Sequence, residues 1–184
     1  MGGRSEEGVA ILSKYPIVHT EYVLLLRNVE DPDDNHQRVL LHAQVAITSV
    51  CPKVIVDVYV THLSLSAPMR NESALHIWRT LSSASEKRGD VQILMGDFNA
   101  EPHEPSIQFL TGRTSLSFAN DSSEYEEEMI GDMVDTYAEL HPTEDPSGFT
   151  YPTCQPTKRI DYIFTRNCCS STWTMQTVAS YRQG

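Results

Sequence analysis

The sequence predicts an α/β or α+β domain, with strands in packed sheets and helices outside them. Three observations carry that expectation. In "KVIVDVYVTHL", Val54, Val56, Val58 and Val60 alternate with period two, as on one face of a strand. From 67 to 87 the period changes, with Leu75, Trp78 and Leu81 spaced along one helical face. The apolar "VQILM" then follows, the pattern of a strand returned to its sheet by a crossover helix.

Taken in order, "GVAILSKYPI" reads as a short buried strand over 9–13 followed by a Pro-containing turn, and "IVHTEYVLLLRNV" as a second strand. A polar turn, "EDPDDNHQ", leads to a third in "RVLLHAQVAITSV". Short connections between these early strands imply antiparallel pairing. Gly89 stands where the helix over 67–87 should have ended. "PSIQFL" reads as a short helix, 122–131 with its "EYEEE" as a solvated loop, and "MVDTYAEL" as helical. "GFTYPT", "RIDYIFT" and "TWTMQTV" are expected late strands.

With 184 residues, 40% of them hydrophobic and 21% charged, the chain has the material for one domain with a real core over 1–184. No apolar run approaches the ~20 residues that cross a bilayer. Fourteen Lys and Arg against 25 Asp and Glu give a formal charge of −11, which disfavours tight unspecific DNA binding but leaves local phosphate binding through a metal open. Four cysteines without a C-x-x-C framework are read as reduced thiols. Nothing at the start resembles an export signal, so the expected location is cytoplasmic or nuclear.

The chemistry concentrates at strand ends. In "LMGDFNAEP", Asp97 and Asn99 lie two apart just beyond an apolar strand, so an extended backbone turns both to one side. They offer a hard anionic oxygen and an amide, a set suited to an oxygen-seeking divalent ion, or they close an Asx turn. His62 ends the Val-rich strand, as a structural imidazole or a proton donor. Asp161 sits inside the apolar "KRIDYIF" and needs a partner, for which Arg159 is at hand. Lys158 and Arg159 fit substrate phosphate or a structural pair, and Tyr151 fits a pocket rim or the core.

In sequence order, "EGVAILSKYPI", "VYVTHLS", "ILMGDFNAEP", "GFTYP" and "KRIDYIF" resemble the endonuclease/exonuclease/phosphatase (DNase I-like) superfamily. The resemblance implies a two-sheet β-sandwich flanked by helices and hydrolysis of a phosphoester by an activated water, with Mg²⁺ or Mn²⁺ as cofactor. It assigns Asp97 to the attacking water, with Asn99 holding phosphate and the active geometry and His62 contacting phosphate as a general acid. Asp161 matches the carboxylate that orients the family's last His. Asp97 and Asn99 are the expected metal ligands, with Asn99, Arg159 and Tyr151 meeting substrate. The substrate implied is a phosphoester, as a lipid headgroup, a nucleic-acid end or a sugar phosphate, with a phosphodiester ahead of an inositol-type monoester. The superfamily also carries a metal-ligand Glu on an early strand and a terminal Asp-His, for which this sequence shows no counterpart. Glu6 and Glu7 stand in the wrong context to supply the first. The expectation is therefore a domain incomplete at both termini and impaired in hydrolysis; a non-catalytic interaction or regulatory domain of the same fold is the alternative.

Overall fold

A computed structural model describes residues 7–49, 54–83, 89–118, 127–141 and 146–167. The expected α/β class is what it shows: a six-stranded mixed sheet, a small two-stranded sheet and few helices. Strands β1 (Ile17–Leu24), β2 (Val39–Ile47) and β3 (Val54–His62) form an antiparallel meander. Helix α1 (Ala67–Ser82) then crosses back, so that β4 (Val91–Asp97) runs parallel to β3. The remaining elements are α2 (Pro105–Leu110), β5 (Leu116–Phe118), β6 (Glu127–Met129), β7 (Val134–Asp135), α3 (Thr136–Leu140) and β8 (Asp161–Asn167). The large sheet has the order β1-β2-β3-β4-β8-β7, and β5 pairs with β6. Among the described residues no helix is long and apolar enough to cross a membrane.

The two faces of the large sheet differ in chemistry because side chains alternate along each strand. Leu40, Tyr59, Leu94, Tyr162 and Phe164 share one face and form the core with Leu75, Ile77, Trp78 and Leu81 of α1 and Ile107, Phe109 and Leu110 of α2. The expected alternating valines Val54, Val56, Val58 and Val60 lie on the opposite face. Over that face runs the segment 9–13, whose Ala10, Ile11, Leu12 and Ser13 border a groove with Val45, Val56, Val58 and Met95. This segment is neither the expected strand nor buried: β1 already occupies the sheet edge beside β2, so 9–13 extends no ladder, and Leu12 is 97% exposed.

Other expectations are corrected locally. α1 stops at Ser82, with the backbone N–H of Ser83 returning to the Arg79 carbonyl. It starts on Ser66, whose hydroxyl accepts from the Met69 N–H. Gly89 is not its cap; the Gly89 N–H donates to Asp57 Oδ2 at 2.6 Å, and a Cβ there would lie 2.8 Å from the Ile55 carbonyl oxygen. Part of the acidic stretch expected as loop is strand β6, because Met129 can pack on the core while Glu128 faces solvent. "MVDTYAEL" divides into β7 and α3, where the Asp135 side chain accepts from the Tyr137 and Ala138 N–H groups. "GFTYPT" holds only an isolated bridge, Tyr151 to Lys158, next to Pro152, which has no N–H for a ladder. "TWTMQTV" lies outside the described residues, as do Cys51, Cys168 and Cys169; Cys154 is an exposed free thiol.

Two features fix β8 and β4 where the site needs them. Arg159 is buried and binds Asp135 in a bidentate fork, Nη1 to Oδ1 at 3.0 Å and Nη2 to Oδ2 at 2.7 Å, with its guanidinium carbon 4.5 Å from the Tyr162 ring centroid. Gly96 has φ 144°, and a Cβ on it would stand 1.9 Å from the Thr61 carbonyl oxygen. Only glycine allows β3 and β4 to close there.

Arg159→Leu strands the Asp135 charge in the interior and should cost about 3–5 kcal/mol, read as a lower urea midpoint at unchanged m-value. Gly96→Ala should cost at least about 2 kcal/mol or abolish folding. Gly8→Ala, where an added Cβ meets nothing within 4 Å, should leave the urea midpoint in place.

Candidate functional site

The site lies where β3 and β4 end and antiparallel β8 begins. Parallel pairing sets His62 beside Asp97, and antiparallel pairing sets Asp97 beside Asp161. Residues in register on neighbouring strands project to the same face, so three side chains from distant parts of the chain form one row. Beyond Asp97 the chain turns on Phe98. Its ring is fully buried, 5.2 Å from Phe164 and 5.5 Å from Tyr162 in edge-to-face contacts, and its N–H donates to the Ile160 carbonyl at 2.8 Å. The Tyr162 hydroxyl reaches the Ala100 carbonyl at 2.9 Å and closes the turn from below.

Asn99 occupies a left-handed conformation, φ 48°, which asparagine tolerates better than most residues. Its backbone N–H donates to Asp97 Oδ1 at 2.8 Å, and its Nδ2 donates to the Leu63 carbonyl at 2.9 Å. Each letter of G-D-F-N thus has a local cause: close approach, charge, anchor and turn. The Asx turn and a chemical role for Asp97 coexist, since Asp97 Oδ2 lies on the other side, 3.6 Å from His62 Nε2.

His62 Nδ1 is 3.8 Å from Glu7 Oε2, and Arg38 Nη1 donates to the same Glu7 oxygen at 3.1 Å. Arg38 is buried, and its Nε finds no acceptor among the described residues. Beside His62 a cleft of about 330 Å³ is lined by Glu7, His36, Gln37, Arg38 and Val39. Burial pushes the Asp97 carboxyl above its ordinary range and the neighbouring Asp161 pushes it further, against the Asn99 N–H, His62 and Arg38, which favour the anion. A half-buried carboxylate beside a second carboxylate is a set of hard oxygens short of positive charge. Asp97, with Asp161 beside it in register, is the carboxylate at this rim that could meet a divalent cation.

His62, Asp97, Asn99 and Asp161 therefore come together, as their spacing at strand ends suggested. Arg159 does not join them: its partner is Asp135, not Asp161, and its guanidinium is buried in that pair. Tyr151 is 55% exposed, so it is not a core residue, and Lys158 Nζ pairs with Glu101 Oε1 at 3.0 Å. Glu7, set aside by its sequence context, is an acidic neighbour of His62. Its signal was its place just ahead of "GVAIL", hidden because that segment forms no ladder. Arg38, also missed, is the lone cation at the head of the apolar β2 run.

No curated protein matches the chain significantly. Among solved structures, the human nocturnin catalytic domain with bound sulfate superposes with TM-score 0.54 at 17% identity, covering 82% of this chain and 48% of its own. A truncated Caenorhabditis elegans TDP2 gives 0.54 at 14%, covering 85% and 55%. The Bacteroides thetaiotaomicron mannosyl-6-phosphatase Bt3783 gives 0.51 at 16%, covering 83% and 53%. At these identities the likeness is one of fold, and the chain spans about half the length of the structures it matches. The sequence pattern of the endonuclease/exonuclease/phosphatase family matches residues 1–181, and the chain belongs to that family.

Proposed function

We propose that this domain is built for divalent-metal-dependent hydrolysis of phosphoesters, with Mg²⁺, or Mn²⁺ in its place, as the cation. The observation that carries the reading is the row His62–Asp97–Asp161 at one end of the sheet, with Glu7 and Arg38 beside it. Asp97 would hold the cation through its carboxylate, and Asp161, beside it in register, would add negative charge. A cation there would supply charge neutralisation on the phosphoryl oxygens and a more acidic water. Asp97 would orient or deprotonate an attacking water. His62, between two carboxylates, is kept available to contact phosphate and to protonate the leaving oxygen. Asn99 fixes the Asp97 side chain through its backbone N–H, while its side-chain amide is anchored on the Leu63 carbonyl. Arg38 is the cation within the cleft that can meet a phosphate once Glu7 yields it. Arg159, held by Asp135, supports β8 rather than substrate.

The favoured substrate is a phosphodiester, in a lipid headgroup or at a nucleic-acid end, followed by a sugar or inositol phosphomonoester. Related folds serve both classes of phosphate ester, as the mannosyl-6-phosphatase illustrates for monoesters. The charge of −11 argues against gripping a long duplex. A cytoplasmic or nuclear location accords with the reading of the cysteines as thiols.

A second reading is supported by the Asn99–Asp97 hydrogen bond of 2.8 Å: the motif closes a turn in a domain that binds without hydrolysis. Turnover separates the two. Turnover by this chain is expected to be weak: it should cleave bis(p-nitrophenyl) phosphate slowly, though faster than p-nitrophenyl phosphate, with Mg²⁺ and not with EDTA. Asp97→Asn should lower that rate by about 10²-fold or more. If Mg²⁺ elicits no cleavage of either ester, the binding-only reading replaces the hydrolytic one.

Stability gives an independent check. Asp97 ionises at a cost in the metal-free fold, because burial and Asp161 disfavour its charge. Asn keeps the Oδ1 acceptor without that charge, so metal-free Asp97→Asn should melt at or above the wild-type temperature near neutral pH. Mg²⁺ should raise the wild-type Tm and leave that of the variant unchanged.

A further inference from the structure

A second cluster of ligating side chains lies on the other face of the sheet, at its β1 edge. His19 and Glu21 stand two apart on β1 and so share a face, and register places His42 of β2 directly opposite Glu21. His42 Nδ1 is 3.0 Å from Glu21 Oε1, His19 Nε2 is 3.7 Å from Glu21 Oε2, and one ligand atom from each residue falls within 4.8 Å of the others. A tetrahedral ion with bonds of about 2.0–2.1 Å separates its ligands by roughly 3.3 Å, so small side-chain rotations suffice.

The support behind His42 points the same way. Its Nε2 is 2.9 Å from Oδ1 of buried Asp57, which also accepts from Gln44 Nε2 at 3.0 Å and from the Gly89 N–H. Its ring stacks on Tyr59 at 4.3 Å and 8°. A carboxylate behind one ring nitrogen, fixing the imidazole and directing the other nitrogen outward, is the outer-shell arrangement of metal-bound histidines. Both nitrogens of His42 face carboxylates, and a neutral imidazole has only one N–H to give. The site therefore calls for a positive charge, either a second proton or a metal ion in its place. A cavity of about 470 Å³, lined by His19, Glu21, His42, Asp57 and Tyr59, opens in front of it.

We propose that His19, Glu21 and His42 form a binding site for a borderline divalent transition ion, Zn²⁺ above all, separate from the row at His62 and Asp97. Two imidazoles and one carboxylate suit Zn²⁺ rather than Mg²⁺, and three protein ligands leave a fourth position for water facing the cavity. The ion joins the edge strand β1 to β2. This inference does not depend on hydrolysis at the other face.

The test titrates Zn²⁺ into the whole chain by calorimetry in millimolar Mg²⁺, with Co²⁺ as a spectroscopic stand-in. His19→Ala and Glu21→Gln alter side chains 52% and 57% exposed, so both variants should fold. One Zn²⁺ per chain should bind, with the visible absorption of four-coordinate cobalt and a Tm rise of several degrees. His19→Ala should weaken binding at least tenfold and Glu21→Gln should weaken it further in combination, while Asp97→Asn should leave it unchanged. Absence of binding to the wild type, binding indifferent to His19→Ala, or loss of the site in Asp97→Asn would each overturn the proposal.

Discussion

The close approach of β3 and β4 at Gly96 governs the rest of the structure. A side chain at that position would collide with the Thr61 carbonyl, the peptide group that immediately precedes His62. With the strands closed, hydrogen-bonded register carries His62, Asp97 and Asp161 into one row without any need for the side chains to attract one another. Two of them in fact repel. The backbone ladder and the aromatic packing of Phe98 against Tyr162 and Phe164 supply the order, and the charged groups are held in an arrangement they would not choose.

This division of labour runs through the fold. Where an ion pair is structural, as with Arg159 and Asp135, it is buried, bidentate and neutral as a unit, and it lies behind the sheet end rather than at its rim. Elsewhere charge is left incompletely matched. Asp97 and Asp161 share a row with one imidazole, and Arg38 is shared with Glu7. His42 sits between Glu21 and Asp57 on the opposite face. One scaffold thus carries incompletely matched charge on both faces of its large sheet.

Much of this was legible in the sequence, for reasons that are local. The period-two valines of β3, the helical spacing of α1 and the apolar runs of β4 and β8 report their burial directly, so the residues at their ends, His62, Asp97, Asn99 and Asp161, were findable. What failed was what depends on distant partners. Arg159 looked like a neighbour for Asp161, but its carboxylate is supplied by Asp135 from another element. Glu7 reaches His62 because 9–13 lies over a sheet face, and alternation cannot tell a face-covering segment from a strand. β6 hides in an acidic stretch because a short strand with one face in water needs only Met129 to hold it.

The parallel pairing of β3 with β4 has a kinetic corollary. Antiparallel β1, β2 and β3 are consecutive in the chain and neighbours in the sheet, whereas β4 reaches β3 only through the α1 crossover and β8 gains its long ladder only once β4 is in place. The rim that holds His62, Asp97 and Asp161 is thus sealed by the costliest chain closures in the domain. A nascent or partly unfolded copy that holds only its meander has no assembled rim, so the row His62, Asp97 and Asp161 exists only once the sheet is complete.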